Sequence, residues 1–500
     1  MFPWSSLFII PPCLLYLTKR WETVCVYWLS LIVLSCETIV LVLGVINMIF
    51  LVEGIRRSRN KKMLVEAITD TNLPSVLVIV PTCGEGIIVL QRTMDALLNV
   101  DYPEEKLTVV ITDDCNDDDL ELKVLEYPKI HYKRRGFIKG HAKAGNVNDT
   151  LFTIENKDYK YKGELVLILD CDMAPYPKML KTLVSYLYKD GQLHYGFVQS
   201  PQHFENIQGF DFLGQHYYFF YQVVLRAWNE FPLGVPCCGT NCLFRRDLLQ
   251  SIGGFQTGSL TEDFKTSLEL HSLGIETKYC SEILASGFAP LTLVDFFNQR
   301  CRWAMGGLQI IFSSSFRKMR HLPLTHIWIY GFAGLSPFYS LFFLILMVCP
   351  LISFYISTSF LCGLDNITYL IYFTPYCLTY TMMLFYLHLE LSIITLVTSV
   401  QETLFMIPML LRVLLVFILK SMGISNISWK TTPKDNPQSY WCSTFWWLLP
   451  YMLYIVSTIM CIIYFYDTKG WLMNTIWSLF MCFQMAPILL YQIQQIFMDI

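Results

Sequence analysis

The sequence predicts a mostly parallel α/β domain inserted between transmembrane helices, and three observations carry that prediction. Of 500 residues, 54% are apolar and only 15% charged, and the mean hydropathy is +0.42, a composition that suits a lipid solvent. The charges crowd into one central block of about 250 residues with the make-up of an ordinary globular domain. Inside that block short β-branched runs alternate with amphipathic stretches, as in a sheet covered by helices. A net charge of -3 leaves no electrostatic footprint for a polyanion, which argues against nucleic acid as a partner. The 17 Cys fall without even spacing, many of them inside apolar runs, so neither a disulfide framework nor a zinc site is expected.

Taken in order, Phe2 to Leu17 is a weak first span, short and carrying Pro11 and Pro12. Val24 to Val52 is long enough to cross, and Arg56, Arg57, Arg59, Lys61 and Lys62 follow it, so the positive-inside rule takes the chain into the cytosol. Lys19 and Arg20 on the other side weigh against this, but they are fewer. Strands are expected at Val76 to Val80, Leu107 to Ile111, Leu165 to Leu169 and Tyr195 to Gln199. After the domain, Ile327 to Ile356 and Tyr369 to Leu387 read as spans joined by an outer loop. Leu389 to Leu419 is interrupted by Glu390, Glu402 and Arg412 and kinked by Pro408, the marks of an amphipathic interface helix. A polar loop over 421–440 and two last spans, Thr444 to Tyr466 and Trp471 to about Leu490, complete about six spans. The expected domains are residues 1–62, 63–320 and 321–500. Glu37 lies inside the second span, where a charge is expensive enough to mark either a polar channel lining or a paired group.

The chemistry-bearing residues sit at strand ends, where open α/β sheets bind ligands. The first strand ends in Pro81-Thr82-Cys83-Gly84-Glu85. The second ends in Asp113-Asp114, with Asn116, Asp117, Asp118 and Asp119 behind, and the Leu165 strand runs into Asp170-Cys171-Asp172. Two carboxylate clusters at strand ends invite a divalent cation, and hard oxygen ligands beside a phosphate suit Mg²⁺ or Mn²⁺. Acidic turn residues also cap strands and helices without binding anything. Thr261-Glu262-Asp263 opens a helical stretch, Phe264 to Gly274. It reads as an ordinary N-cap or as a carboxylate placed to deprotonate an attacking hydroxyl. Gln299-Arg300-Cys301-Arg302-Trp303 stands just before the third span, where a basic and aromatic membrane anchor is also expected.

Together, Asp113-Asp114, Asp170-x-Asp172, Thr261-Glu262-Asp263 and Gln299-x-x-Arg302-Trp303 resemble the ordered motifs of processive family 2 glycosyltransferases of the cellulose synthase kind. His141-Ala142-Lys143-Ala144-Gly145-Asn146 is similar to a stretch of that subfamily, and Val198-Gln199-Ser200-Pro201 and Gly253-Gly254-Phe255 fall in place. Trp429-Lys430-Thr431-Thr432-Pro433-Lys434 resembles its cytosolic gating loop, within 421–440, and the Glu402 segment its interface helix.

The resemblance implies a GT-A glycosyltransferase domain between membrane helices. It implies that Thr82, Glu85, Asp113, Asp114 and Asp170 hold the UDP part of the donor, that Lys143 helps with the diphosphate, and that Asp172 carries Mg²⁺ or Mn²⁺. Asp263 becomes the base, with Thr261 and Glu262 in the same catalytic motif. Gln299, Arg302 and Trp303 place the diphosphate and the terminal sugar of the acceptor, and Thr432 and Lys434 close over the nucleotide. Cys238, Gly239 and Thr240 fall in the acceptor motif, which departs from the family: Pro236-Cys237-Cys238-Gly239-Thr240 lacks both of its aromatics. Polymerisation of glucose from UDP-glucose into a β-1,4-glucan, with export through the chain's own channel, is the expected activity. β-1,3- or mixed-linkage glucan and chitin- or hyaluronan-type products remain open. The partners implied are the lipid bilayer, the growing polysaccharide, and either accessory export proteins or further copies of the chain. The expected location is the plasma membrane with the domain in the cytosol. The resemblance includes no cyclic-di-GMP-binding β-barrel after the last span, so control by that nucleotide within the chain is not expected.

Overall fold

A computed structural model describes residues 4–22, 28–61, 70–136, 140–155, 158–207, 214–357, 365–424, 441–466 and 471–498. Its central sheet is built from β1 Val76–Thr82, β2 Leu107–Asp113, β3 Ile130–Arg134, β4 Leu165–Ile168, β5 Phe197–Gln199, β6 Cys242–Arg245 and β7 Lys278–Tyr279. The spatial order is β7-β5-β6-β4-β1-β2-β3. β6 runs antiparallel to β5 and β4, and the other pairings are parallel. The strand expected from Tyr195 begins two residues later, at Phe197. Gly196 donates instead to Glu276 O at 2.8 Å.

β1 shows why these runs are strands. Every one of its residues is buried. Val76, Val78 and Val80 enter one core with Met94 and Leu167, while Leu77 and Ile79 enter the opposite core with Val147 and Ile168. A strand covered on both faces reads as an unbroken apolar run, and each such side chain contributes about 1.5–3 kcal/mol on burial. Parallel pairing also gathers the carboxyl ends on one edge, with Thr82 level with Asp113 and Asp170 just past β4.

Among the described residues, six helical stretches are long and apolar enough to cross a membrane: Ser30–Asn60, Leu324–Tyr355, Asn366–Leu387, Ile393–Ser421, Thr444–Tyr464 and Trp471–Tyr491. The expected number therefore holds, but with one exchange. The first helix, Trp4–Glu22, is not among them, whereas Ile393–Ser421, expected as an interface helix, is, by length and composition alone. That segment breaks at Met406 into Ile393–Phe405 and Ile407–Ser421, with Pro408 in the first turn of the second helix, where proline is tolerated. Exposed Leu378, Met382, Phe385, Leu453, Val456, Ile459 and Ile463 stud these helices, as an integral membrane protein requires.

The basic end of the second helix is tied to neighbouring elements. Glu53 accepts from Arg56 at 2.7 Å and Arg57 at 2.8 Å, Arg59 meets Glu390 at 3.0 Å, and Lys61 meets Glu230 at 3.3 Å. Glu37 is a paired group: Tyr16 donates to it, and Arg20 pairs with it at 2.9 Å while only 3% exposed. Arg20 is thus committed to a carboxylate.

The domain is not a separate ball on a stalk. The helix Leu293–Ile311 shares a core with Leu404, Phe405, Ile407, Met409, Trp447, Tyr451 and Met485 of the membrane helices. Phe297 stacks on Trp447 at 4.7 Å.

Candidate active site

At the end of β1, buried Thr82 donates through Oγ1 to Glu85 Oε2 at 2.8 Å, and the same oxygen accepts from Cys83 N at 2.5 Å. The chain turns back here at Gly84. At the end of β2 the acidic cluster divides. Asp113 is wholly buried, accepting from Cys115 N at 2.8 Å, Asp117 N at 2.6 Å and Tyr132 Oη at 2.8 Å, so its oxygens are used inside the fold. Asp114 pairs with Arg135, which also donates to Gly140 O and Ala142 O. Asp117 caps the helix Asp118–Val124 through Asp119 N and Leu120 N, and Asp118 pairs with Arg134 at 2.5 Å. Part of the cluster is therefore turn chemistry.

The helix Ala142–Phe152 carries Lys143 into the cleft. Its Nζ donates to Asp170 Oδ1 at 2.5 Å and to Gly239 O at 2.7 Å. Asn146, three residues on, clasps β2 through Thr112 with two hydrogen bonds of 2.8 Å, so the spacing inside His141–Asn146 sets one side chain on the sheet and the other in the cleft. Asp170 N donates to Thr240 Oγ1 at 2.8 Å, and Asp172 is buried just beyond. Gln199 holds the loop before β6, accepting from Cys238 N and donating to Thr240 O, both at 2.8 Å.

Gly239 has φ +90°, and a Cβ there would stand 3.1 Å from Asp263 Oδ2 and 3.9 Å from Lys143 Nζ. Bare backbone thus lets Asp263 approach the loop. Asp263 lies in the first turn of the helix Glu262–Ser272, where its Oδ1 accepts from Phe264 N at 2.8 Å. Thr261 occupies the N-cap position, yet its side chain makes no capping bond. Its hydroxyl meets Ser259 Oγ at 3.2 Å, and Ser259 donates to Gly306 O at 3.1 Å. A Cβ on Gly306 would come within 2.5 Å of Thr261 Oγ1, so the helix Leu293–Ile311 passes directly against the Thr261–Asp263 turn.

That helix also carries Gln299, Arg302 and Trp303. Tyr217 Oη donates to Gln299 Oε1 at 2.6 Å, and the Arg300 guanidinium lies 4.5 Å from the Trp303 ring and 4.9 Å from that of Tyr217. Trp303 and Cys238 pack against one aromatic cluster containing Tyr217, Tyr221 and Tyr279. Arg302 is half-buried between Cys301 and Trp303.

Charge makes this cleft reactive. Burial opposes the charge on Lys143, but Asp170, then Glu262 and Asp263, outweigh it and hold its pKa above the usual value. Burial and then the neighbouring Glu262 lift the Asp263 carboxyl to about 7, against the lowering pull of the Phe264 N–H and Lys143. A carboxylate poised near neutrality suits proton abstraction. Lys143, Asp170, Gly239, Thr240 and Asp263 are thus brought together, with Glu262 beside them. Thr82, Glu85, Asp113 and Asp114 form a second group at the adjoining strand ends. Thr432 and Lys434 lie outside the described residues. Sequence reasoning did not single out Arg135 or the bracing role of Gln199. The Arg134-Arg135 pair closing β3 opposite an acidic β2 end was a signal for the first.

The sheet and the strand-end cleft are those of a GT-A-like fold, and comparison with known proteins agrees. Residues 74–306 match the family described as glycosyltransferase like family 2, and residues 250–463 match the family described as cellulose synthase. The stretch 74–306 is thus similar to family 2 glycosyltransferases, and 250–463 to cellulose synthases. Among relatives, it is 40% identical over 188 residues to a UDP-forming cellulose synthase catalytic chain of Dictyostelium discoideum, covering 37% of this chain and 17% of that protein. It is 30% identical over 285 residues to the UDP-forming cellulose synthase catalytic chain of Komagataeibacter sucrofermentans, covering 56% of this chain and 36% of that protein. The chain therefore spans well under half the length of these relatives. A solved mannosyltransferase from Pyrobaculum calidifontis, in complex with GDP-Man and Mn²⁺, shares the fold with a TM-score of 0.50 at 20% identity, covering 75% of this chain and 99% of that one.

Proposed function

We propose that the chain is a processive, inverting β-glycosyltransferase that polymerises glucose from UDP-glucose into a β-1,4-glucan and passes the polymer through its own membrane helices. The observation that carries this reading is the meeting of Asp263 with Lys143 and Asp170 under the Gly239 loop, beside the helix Leu293–Ile311, which carries Trp303 and shares a core with the membrane helices.

In this reading Thr82, Glu85 and Asp114 face the uridine, with Asp113 bracing their loops from below. Asp263 takes the proton from the acceptor hydroxyl. That oxygen attacks the anomeric carbon from the face opposite the diphosphate, which inverts the configuration as UDP leaves. Lys143, Arg302 and Gln299 stabilise the negative charge that grows on the departing diphosphate. The Trp303 face stacks on the terminal sugar of the acceptor, supported by Arg300 beneath it. Thr432 and Lys434 close over the donor and keep out water. Asp170 and Asp172 offer hard oxygens at one strand end. Among the described residues no group of three or more His, Cys, Asp or Glu is set for a metal. That fits Mg²⁺ or Mn²⁺ held by one or two carboxylates plus substrate phosphates, and the ion supplies charge neutralisation to the diphosphate when bound.

Export is supported by polar groups inside the bundle. Among the described residues, Asn474 is wholly buried with neither amide atom partnered, and Gln401 Oε1 and Gln484 Oε1 also lack partners. Such groups are costly in a lipid setting, and the hydroxyls of a passing glucan would satisfy them. The basic end of Trp28–Asn60 supports a cytosolic domain by the positive-inside rule, and this reading takes the plasma membrane as the location.

A second reading keeps the chemistry and changes the product. Cys238, packed against the same aromatic cluster as Trp303 where the family has an aromatic-rich motif, alters the acceptor pocket. β-1,3- or mixed-linkage glucan and chitin- or hyaluronan-type polymers follow if that change turns the acceptor or admits another UDP-sugar. Radiolabelled UDP-glucose and UDP-N-acetylglucosamine, supplied in parallel to solubilised protein, decide between them. An insoluble product from UDP-glucose cut by a β-1,4-glucanase is expected. Cutting only by a β-1,3-glucanase would establish the second reading, and UDP release without any polymer would refute processivity.

A further inference from the structure

Cys83 and Cys115 stand on neighbouring strand-end loops, Cys83 one residue after β1 and Cys115 two after β2, and their Sγ atoms are 3.5 Å apart. Both are exposed, and among the described residues the other exposed cysteine is Cys377, on a candidate membrane span. Their positions are fixed from both sides. Cys83 N is held by Glu85 Oε2, Cys115 N by Asp113 Oδ1, and Asp114 N donates to Thr82 O at 3.0 Å, which laces the two loops together. Asn116, next to Cys115, takes φ +61° and Gly84, next to Cys83, φ +80°, so each sulfur rides on a tight turn that allows little drift.

A disulfide needs the sulfurs at about 2.05 Å, so a closure of about 1.5 Å would join residues 32 positions apart. We propose that Cys83 and Cys115 form a reversible dithiol–disulfide site that shuts the donor pocket when oxidised. The proposal rests on the reading of Thr82, Glu85 and Asp114 as donor-facing groups, because the linked sulfurs would draw together the two loops that carry them.

With oxidised glutathione as the oxidant, the Cys115 thiolate attacks one sulfur and releases the first glutathione thiolate. The Cys83 thiolate then attacks the Cys115 sulfur of the mixed disulfide and releases the second. The two protons lost by the cysteines end on the two glutathione thiols, and the two electrons reduce the glutathione disulfide. Burial, followed by the hydrogen bond and charge of Cys115, pushes the Cys83 thiol up to about 12. A reducing thiol pool returns the disulfide to the dithiol by the reverse exchange.

The test treats the solubilised full chain with excess oxidised glutathione, blocks remaining thiols, and looks in a non-reduced digest for the peptide joining Cys83 to Cys115, while calorimetry follows UDP binding with Mg²⁺. The joined peptide is expected, with UDP binding weakened at least tenfold and recovered on adding dithiothreitol. Cys115→Ser should bind UDP as the reduced protein does and ignore the oxidant. Absence of the joined peptide, or its presence with UDP binding unchanged, overturns the proposal. If the reduced protein itself fails to bind UDP, the donor-pocket reading falls and the closure of that pocket falls with it, whereas failure of the switch alone leaves UDP binding to the reduced protein intact.

Discussion

Replacing Asp263 by Asn is expected to stabilise the protein while removing its activity, with a gain that depends on pH. The folded state lifts the carboxyl from 3.8 to about 7, and each pH unit of such a rise is worth about 1.36 kcal/mol, so the ceiling is about 4 kcal/mol. The carboxylate is partly open to the cleft, where water screens it, and about 2 kcal/mol is the working figure. The sign follows from proton binding. Between pH 4 and 7 the folded state holds a proton that the unfolded chain has lost, so wild-type stability falls as pH rises through that window and levels above it. Asn carries no such burden. Thermal unfolding of both proteins in one detergent, without donor or metal, should give midpoints that coincide near pH 4 and separate up to pH 7, with the variant higher, and a constant difference beyond. UDP release by the variant should fall by at least about 10²-fold. A midpoint difference that is flat with pH, or a less stable Asn variant, would refute the argument that burial strains this carboxylate.

Other outcomes follow from the same geometry. For wild type, kcat/KM for UDP release should rise from pH 6 to 8 as Asp263 ionises, and Lys143→Gln should move that rise to higher pH, because Lys143 favours the ionised form; an unmoved profile would remove Lys143 from the electrostatics. Gly239→Ala combines φ +90° with a Cβ 3.1 Å from Asp263 Oδ2, so activity should drop steeply, with a stability loss of about 1 kcal/mol or more; an Ala variant as active as wild type would show that the loop does not position the base. Trp303→Ala should leave UDP release to water measurable while abolishing long polymer, and Trp303→Phe should restore part of the chain length seen by gel filtration of the product. Chelation by EDTA should stop sugar transfer, and Mg²⁺ or Mn²⁺ should restore it in wild type but not in Asp172→Ala.

Much of the fold was legible because burial on both faces leaves a plain mark: Val76 to Val80 and Leu165 to Leu169 are continuous apolar runs, and each proved to be a central strand. The ends of those strands were legible as chemistry because carboxylates followed them directly. What the residues could not tell was which carboxylates the fold would use for itself. Asp113 and Asp114 are adjacent and identical in type, yet one is sealed under Tyr132 and the other pairs with Arg135 across a turn, a distinction made by tertiary contacts. The exchange between Trp4–Glu22 and Ile393–Ser421 among the candidate spans has a similar source. Glu402 and Arg412 looked like marks of a surface helix, but a few charges in a long apolar run do not lower its hydropathy enough to decide the matter.

The core shared by Leu293–Ile311 and the last membrane helices has a consequence for biosynthesis. A ribosome delivers this helix well before Trp447, Tyr451 and Met485, so its apolar face waits without its final partners until the last two spans are in the bilayer. The bench on which Gln299 and Trp303 sit is therefore the last part of the protein to become rigid. Under the proposed function, a nascent chain would complete its export route and its acceptor site together, so that assembly order itself would guard against a polymer started on the wrong side.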